Sequence, residues 1–235
     1  MIRPRPMGVI GLLGGSSDVG TVDYYNRLNR LARARLGGWD IAETLIAGMN
    51  FGNIEAFVRA EDWAAMRAYM RPKMQGLLAA GADFILCASN TLNRVAEPLA
   101  AELGAPFLHI ADPTGAALRT QGFDQALLLG TRQTMRDPYY HDYYGARHGI
   151  DIVTPSEVDQ IEIDRIIFDE LVRGQILPAS RDFYVAAIAR SGVKAVIMGC
   201  TEICLLIGPA DTPEHVLFDV NELHCAAAIA RALAL

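Results

Sequence analysis

Short apolar runs alternate with longer segments of helical periodicity along this chain, and this alternation restricts the fold more than any other feature. The apolar runs are residues 9–13, 41–49, 84–87, 107–110, 125–129 and 195–198. The helical segments are residues 21–35, 55–80, 91–103 and 161–173, the last approached by a polar surface tract at 151–160. Strands that alternate with helices predict parallel sheets covered by helices on both faces, the α/β fold class.

The alternating pattern occurs twice in the chain. The letters LLGGS at 12–16 are similar to LLGTR at 128–132, and FILCASNT at 84–91 is similar to AVIMGCTE at 195–202. Both pairs are separated by about half the chain length, which indicates two similar α/β halves. Strand–glycine–helix units are common, so chance similarity remains the alternative explanation.

We place the domain boundaries where one half gives way to the other. Residues 1–112 together with 219–235 are predicted to form the first α/β domain, and residues 113–218 the second. Hydrophobic residues make up 51 % of the chain and charged residues 20 %, enough apolar content for two cores and too much for a disordered chain.

Composition also limits the compartment and the partners. Four cysteines are too few for a disulfide-stapled domain and favour a reducing cytoplasm. No apolar run reaches the roughly 18–20 residues that span a bilayer, and residues 1–6 are interpreted as a tail rather than a signal peptide. A net charge of −6 without a cluster of lysine and arginine argues against nucleic acid. We therefore expect a small-molecule partner.

Four predicted strands end in small or polar residues that lead into a helix. Open α/β sheets bind ligands at these carboxyl ends, where helix N-termini offer backbone N–H groups to a carboxylate or phosphate. The tract Gly14-Gly15-Ser16-Ser17 does not fit a dinucleotide fingerprint, and no phosphate-loop lysine follows it. Carboxylate binding is therefore favoured over nucleotide binding.

Cys200 is the residue most suited to chemistry, because it lies at a strand end before a predicted helix. A thiol at a helix N-terminus has a lowered pKa and can act as a general base or nucleophile. The alternative is that Cys200 packs in the core as a small hydrophobic residue. Cys200 and Cys204 share a helix face, but neither C-x-x-C nor H-x-x-x-H occurs, so no metal site is predicted.

Lysine is scarce, which bears on the cofactor. Lys73 and Lys194 are the only lysines, and neither is placed at the expected ligand edge for a Schiff base with pyridoxal phosphate. Chemistry at the α-carbon of an amino acid would therefore have to proceed without a cofactor.

The motifs IGLLGG at 10–15, SNT at 89–91 and GCTEI at 199–203 resemble those of the aspartate/glutamate racemase superfamily. The resemblance extends from about residue 7 to the C-terminus and is closest to the broad-specificity bacterial branch. It implies two pseudo-symmetric three-layer αβα domains with parallel sheets and an active site in the cleft between them. It also implies a homodimer and a reaction that needs no cofactor.

The superfamily works with two opposed acid/bases, usually both cysteines. The resemblance assigns these roles to Cys200 and Ser89, the serine standing where the usual motif is Cys-Asn-Thr. Cys87 lies two residues earlier on the same strand face, one step deeper in the sheet. A serine hydroxyl is a poor base, so this position departs from the family pattern.

The resemblance also assigns the substrate-binding positions. Asn90, Thr91 and Thr201 are expected to hold the α-carboxylate, and Gly14, Gly15 and Ser16 to shape the wall. Glu202 is predicted as a further substrate-binding residue. Many aspartate-specific members have a basic residue after the second strand, where this chain has Asn50. Asn50, Thr131 and Thr134 are therefore predicted as neutral donors to the substrate.

The sequence predicts an amino-acid racemase for aspartate, glutamate or a related amino acid, and two alternatives stay open. The first is a superfamily decarboxylase or isomerase that uses the single cysteine Cys200 to protonate one face of a planar intermediate. The second is a degenerate member that only binds a ligand. The substitution at Ser89 motivates both alternatives.

Overall fold

The computed structural model describes residues 7–235, so the predicted tail at residues 1–6 lies outside the described residues. The chain forms two compact units. The first contains the chain up to His109 together with His224–Leu235, and the second is Ile110–Leu223. Among the described residues, no helix combines the length and apolar composition needed to cross a membrane.

The first unit is built around a four-stranded sheet with the order β2-β1-β3-β4, in which all neighbours are parallel. Its elements are β1 (Ile10–Gly14), α1 (Asp18–Leu36), β2 (Thr44–Gly48), α2 (Phe51–Arg59), α3 (Trp63–Ala79), β3 (Phe84–Cys87), α4 (Asn90–Glu102) and β4 (Phe107–Leu108).

The second unit repeats this order as β6-β5-β7-β8, again with parallel neighbours. Its elements are α5 (Ala111–Thr120), β5 (Gln125–Leu129), α6 (Arg132–Arg136), α7 (Pro138–His148), β6 (Asp151–Val153), α8 (Glu157–Asp169), a 3-10 helix (Leu171–Arg173), α9 (Pro178–Ser191), β7 (Ala195–Met198), α10 (Ile203–Leu206) and β8 (Val216–Asp219). The final helix, α11 (Val220–Ala232), begins in this unit and ends in the first.

Helices cover the first sheet on both faces. On one face, Met66, Met70 and Met74 of α3 recur every fourth residue and form a buried stripe against Ile85 and Cys87 of β3. On the other face α1 meets α11, where the Tyr24 hydroxyl and His224 Nδ1 are hydrogen-bonded at 3.0 Å, and Arg231 stacks on Phe84.

The second sheet has the same construction. Ile163, Ile166 and Ile167 of α8 pack with Tyr184 of α9 against the β5 and β7 side chains, including Met198. The core of this unit therefore reaches the residue directly before the Gly199-Cys200 turn. The prediction of two similar α/β halves with parallel sheets is confirmed by the matching strand orders.

The segment 55–80, predicted to be helical, is divided in the structure into two helices. This segment forms α2 and α3, and the break falls at Glu61, which has φ 51. Asp62 then begins α3 by accepting a hydrogen bond from the Ala65 N–H, as N-cap residues do.

The prediction of a polar surface tract over residues 151–160 is also wrong. It contains strand β6, which pairs with β5 and buries Ile152. The helix that follows begins at Glu157 rather than at residue 161, because the Ser156 hydroxyl accepts from the Asp159 N–H and caps it. The polar residues in this tract are the first turn of a helix.

Candidate active site

Ser89 and Cys200 occupy the same place in their two units. Leu13 of β1 aligns with Cys87 of β3, and Leu129 of β5 aligns with Met198 of β7. Each alignment continues one residue past the strand, since Ala88 N donates to Leu13 O at 3.0 Å and Gly199 N donates to Leu129 O at 2.6 Å. Ser89 and Cys200 are each the next residue, at the carboxyl edge of their sheet.

Ser89 precedes α4 but does not cap it through its side chain. Its Oγ instead accepts a hydrogen bond of 3.0 Å from the Ser16 Oγ, which comes from the turn after β1. Asn93 Nδ2 donates to the carbonyl of Ser89 at 2.6 Å and to that of Cys87 at 3.2 Å, which holds the turn. The predicted residues Ser16 and Ser89 are thus brought together as a hydroxyl pair.

The other predicted residues around Ser89 lie at the start of α4. Asn90 is buried and Thr91 is half-buried, and together they form the first two residues of this 13-residue helix. Cys87 lies wholly inside the core with Leu13 and Leu92, and burial raises the pKa of its thiol to about 12. This thiol is therefore protonated at neutral pH.

Gly15 shapes the turn beside Ser16. It has φ 92, and a Cβ built on it would overlap the backbone of Met49. Its N–H donates to Thr21 Oγ1 at 2.8 Å. A Cβ added at Gly14, which is buried, would clash with the side chain of Thr21. Gly15 thus lets the turn after β1 approach the end of β2 closely, and Gly14 lets it approach Thr21 of α1.

Gly15→Ala is expected to lower the free energy of unfolding by about 3 kcal/mol or more, because strain at positive φ adds to a backbone overlap. Gly38→Ala is the matched control. Gly38 also has a positive φ, but nothing lies within 4 Å of its added Cβ, so only the strain remains. Urea unfolding of the two variants checks this, and equal losses would show that the overlap is relieved without cost.

Asn50 lies at the carboxyl end of β2, as predicted, but its carboxamide oxygen caps α2. Asn50 Oδ1 accepts from Gly52 N at 2.9 Å and caps α2. The backbone N–H of Asn50 donates to the Tyr69 hydroxyl, also at 2.9 Å. The side chain is exposed, and its oxygen is used as a cap.

The turn after β5 carries the two predicted threonines of the second unit. Thr131 caps α6 by accepting from Thr134 N at 3.2 Å, and the two threonine hydroxyls are 3.0 Å apart. The next backbone N–H, that of Arg132, donates to Asp164 Oδ1 of α8 at 2.7 Å. Asp164 therefore fixes this turn, a role that the sequence did not indicate.

Cys200, Thr201 and Glu202 form one hydrogen-bonded group. Cys200 Sγ donates to Glu202 Oε2 at 3.0 Å, and Thr201 Oγ1 donates to the same oxygen at 2.6 Å. Glu202 is only 2 % exposed and Cys200 8 %. Asn221 Nδ2 donates to the carbonyl of Thr201 at 2.8 Å and ties the turn to the start of α11. The glutamate is thus oriented toward the thiol.

The expectation that a helix N-terminus lowers the pKa of Cys200 is wrong. The helix that follows, α10, has only four residues and begins at Ile203, so it supplies little dipole. Burial instead raises the thiol pKa well above its ordinary value, and the charge of Glu202 raises it further. Cys200 therefore rests as a thiol that donates to a carboxylate.

This raised pKa predicts slow alkylation of Cys200 at neutral pH. The rate with iodoacetamide is expected to rise about tenfold per pH unit from pH 7 to pH 9, because only the thiolate reacts. The variant Cys204→Ser is used so that modification detected by mass spectrometry reports Cys200. A rate that levels off below pH 8 would contradict the raised pKa.

In the part of the chain that the structure describes, no group of three or more His, Cys, Asp or Glu side chains is arranged to hold a metal ion.

Sequence reasoning missed the supporting residues Asn93, Asp164 and Asn221. Only Asn93 had a signal in the sequence, because it is a polar residue one helical turn after Ser89.

The family model described as Asp/Glu/Hydantoin racemase matches residues 10–231. A candidate Asp/Glu racemase from Yersinia pestis is 37 % identical, with a TM-score of 0.88 over 97 % of this chain and 100 % of that one. An aspartate racemase homologue from Pyrococcus horikoshii OT3 is 30 % identical, with a TM-score of 0.82 over 96 % and 99 %. An aspartate racemase from Picrophilus torridus is 22 % identical, with a TM-score of 0.70 over 96 % and 94 %, and shares the fold.

Proposed function

The chain belongs to the Asp/Glu/hydantoin racemase family, and from that premise we propose a cofactor-independent racemase of aspartate, glutamate or a related amino acid. The observation that carries the proposal is the equivalent placement of Ser89 and Cys200, each the second residue after a central strand. Two proton-bearing side chains at equivalent sites suit a reaction in which a carbon loses a proton from one face and gains a proton on the other. The racemase names of similar proteins support the same reaction class.

Inversion requires one group that removes the α-proton and another that returns a proton to the opposite face. In the proposed reaction the Cys200 thiol passes its proton to Glu202 Oε2, which already accepts its hydrogen bond. The resulting thiolate takes the α-proton and leaves a carbanion. Ser89 then gives its hydroxyl proton to the other face, and the hydrogen bond from Ser16 Oγ stabilises the alkoxide that remains. The cycle closes when Glu202 releases its proton to solvent water and the Ser89 alkoxide takes a proton from solvent water.

The substrate carboxylate is assigned to the backbone N–H groups at the start of α4. Asn90 and Thr91 lie in its first turn, where unpaired N–H groups and the helix dipole favour an anion. The region of Thr201 is assigned the same role in the second unit. Donors to the carboxylate also stabilise the charge that develops when the α-proton leaves.

Gly14, Gly15 and Ser16 are assigned to the wall of the site, since this turn carries the donor to Ser89. Asn50, Thr131 and Thr134 remain the proposed neutral contacts of the substrate side chain. Glu202 is reassigned from substrate binding to proton exchange with Cys200, because the carboxylate is buried and hydrogen-bonded to the thiol.

The weak acidity of a serine hydroxyl makes proton transfer at Ser89 slower than proton transfer at Cys200. Enantiomers have the same free energy, so kcat/KM must be equal in the two directions of any racemase. The inequality appears instead in hydrogen exchange. The enantiomer whose α-proton faces Cys200 should exchange with solvent faster than it inverts, because the thiolate can return a solvent proton before Ser89 reacts.

The proposal that no pyridoxal cofactor takes part is supported by the positions of the lysines. Lys73 lies within α3, and Lys194 directly precedes β7, at the end of that strand away from Cys200. A Schiff base requires a lysine at the reacting carbon. Reaction at the α-carbon therefore depends on Cys200 and Ser89.

We also propose that the protein is a cytoplasmic homodimer, in keeping with the family resemblance. None of the four cysteines forms a disulfide, which suits a reducing compartment. Light scattering at micromolar concentration measures the mass in solution, and a monomer would contradict the dimer.

Both enantiomers of aspartate, glutamate and a panel of neutral amino acids should be incubated with the enzyme and no added cofactor. Chiral chromatography is expected to show inversion of at least one of them. No inversion, together with stereospecific release of CO2 from a disubstituted malonate, would favour the one-cysteine decarboxylase. The presence of one thiol rather than two at the equivalent strand ends motivates that second candidate. Ligand binding without exchange or CO2 release would instead indicate a binding protein.

A further inference from the structure

Asn221 is the second residue of α11 and lies outside the sequence motifs of the candidate site. Its side chain is 0 % exposed, and its Nδ2 donates to the Thr201 carbonyl at 2.8 Å. Burying a carboxamide costs free energy unless it makes hydrogen bonds, so this contact is the reason for a polar residue here. Thr201 stands between Cys200 and Glu202, and the turn after β7 is therefore supported from another element.

The first unit supports its equivalent turn from within the helix that follows. Asn93 comes four residues after Ser89 and donates to the carbonyls of Ser89 and Cys87. Cys204 comes four residues after Cys200 and occupies the equivalent position in the second unit, but a thiol is only a weak donor. The helix there, α10, also has only four residues. The carboxamide that supports the second turn therefore comes from α11 instead.

The Thr201 carbonyl is the part of this turn that controls Glu202. A peptide unit is planar, so a hydrogen bond that fixes the Thr201 carbonyl also fixes the Glu202 nitrogen and the direction in which that side chain leaves the backbone. Glu202 Oε2 accepts from Cys200 Sγ at 3.0 Å and from Thr201 Oγ1 at 2.6 Å. Because one buried oxygen meets both donors, rotation of this peptide would separate the carboxylate from the thiol.

We propose that Asn221 is a positioning residue that holds the Glu202 carboxylate on the Cys200 thiol through the Thr201–Glu202 peptide. When the S–H bond breaks, its proton moves to Glu202 Oε2, and Asn221 keeps that oxygen in place without touching the substrate. A support that exists before the proton moves avoids reorganisation during the reaction. The inference rests on the proposed function only in that Cys200 acts as the base and Glu202 takes its proton.

Asn221→Ala in the Cys204→Ser background tests this role, because it removes the donor and adds no bulk. Burial raises the pKa of the Cys200 thiol, and the charge and hydrogen bond of Glu202 raise it further, so a carboxylate that moves away lowers this pKa. Alkylation of Cys200 by iodoacetamide at pH 8 is expected to become about fivefold faster, with the pH profile moved to lower pH. An unchanged pH profile would overturn the proposal.

The same change in a Glu202→Gln background separates positioning from a general loosening of the turn. Glu202→Gln removes the charge and is expected by itself to make the alkylation of Cys200 about tenfold faster. If Asn221 acts through Glu202, adding Asn221→Ala leaves the rate within about twofold of Glu202→Gln alone. A further fivefold gain, about fiftyfold in all, would overturn the proposal, since the loss of Asn221 would then act by exposing the thiol.

Asn93→Ala is the matched control, because Asn93 is equally buried and also donates to the carbonyls of a turn. It should leave the alkylation of Cys200 at the parental rate, and equal acceleration in both alanine variants would count against the proposal. Modification of Cys87 and Cys225, both wholly buried, reports any opening of the whole fold in the same mass spectra. If Asn221→Ala does not fold, Asn221→Val fills more of the space without a donor and serves the same cycle. These readouts need no racemase activity, so failure of the proposed reaction leaves the test intact.

Discussion

Cys200→Ala is expected to reduce exchange of the substrate α-proton about 10²–10⁴-fold, the contribution typical of a general base. The variant removes the only group at the end of β7 that can become a thiolate, while Glu202 loses a donor rather than a structural contact. The exchange is measured by proton NMR in D2O with the substrate that the panel identifies.

Cys204→Ser is the control for this variant. Cys204 lies four residues further on, is half-buried, and packs against the same core. Its replacement should leave the exchange rate within about twofold, because it is given no part in proton transfer. Parental exchange by Cys200→Ala would remove Cys200 from the mechanism, and an equal loss in both variants would indicate damage to the turn.

Ser89→Cys is expected to raise the inversion rate by about tenfold or more. A thiol is far more acidic than a hydroxyl, so it returns a proton to the carbanion more readily and can also serve as a base for the other enantiomer. We expect the turn to accommodate the larger atom, because the Ser89 side chain does not cap α4 and its hydroxyl accepts a hydrogen bond from another side chain, Ser16.

Ser89→Ala is the companion variant. It should lose inversion yet retain exchange of the enantiomer that presents its proton to Cys200, because the second unit is unchanged. Circular dichroism and the urea midpoint should match the parent for both variants. Equal inversion rates in the parent, Ser89→Cys and Ser89→Ala would show that the second proton comes from elsewhere.

The strands of the first sheet, the central strands of the second sheet and the motif positions were predictable from the sequence, whereas the edge strands of the second sheet, β6 and β8, were not. The runs that became β3, β5 and β7 are almost wholly apolar, because strands with neighbours on both sides are buried on both faces. Strand β6 has three residues and buries only Ile152, so its sequence is similar to that of a polar loop. The break between α2 and α3 depends on the positive φ of Glu61, which the sequence does not reveal.

The residues of the candidate site could be predicted from the sequence, but the hydrogen bonds between them could not. Cys200 and the turn with Gly15 and Ser16 were found because strand ends carry ligands in α/β sheets. The resemblance to the aspartate/glutamate racemase superfamily added the role of Ser89. The Ser16–Ser89 hydrogen bond joins residues that are 73 positions apart, which only the parallel pairing of β1 with β3 brings about. The pKa of Cys200 was misjudged because neither the length of α10 nor the burial of Glu202 is visible in the letters GCTE.

The most direct test of the account is α-proton exchange in D2O, followed separately for the two enantiomers of each amino acid by NMR with no cofactor added. Chiral chromatography of the same samples gives inversion alongside exchange. The account predicts that one enantiomer exchanges faster than it inverts, that inversion also occurs, and that Cys200→Ala lowers the rates of both by about 10²–10⁴-fold. Exchange of neither enantiomer on any amino acid, or exchange that persists in Cys200→Ala, would contradict it.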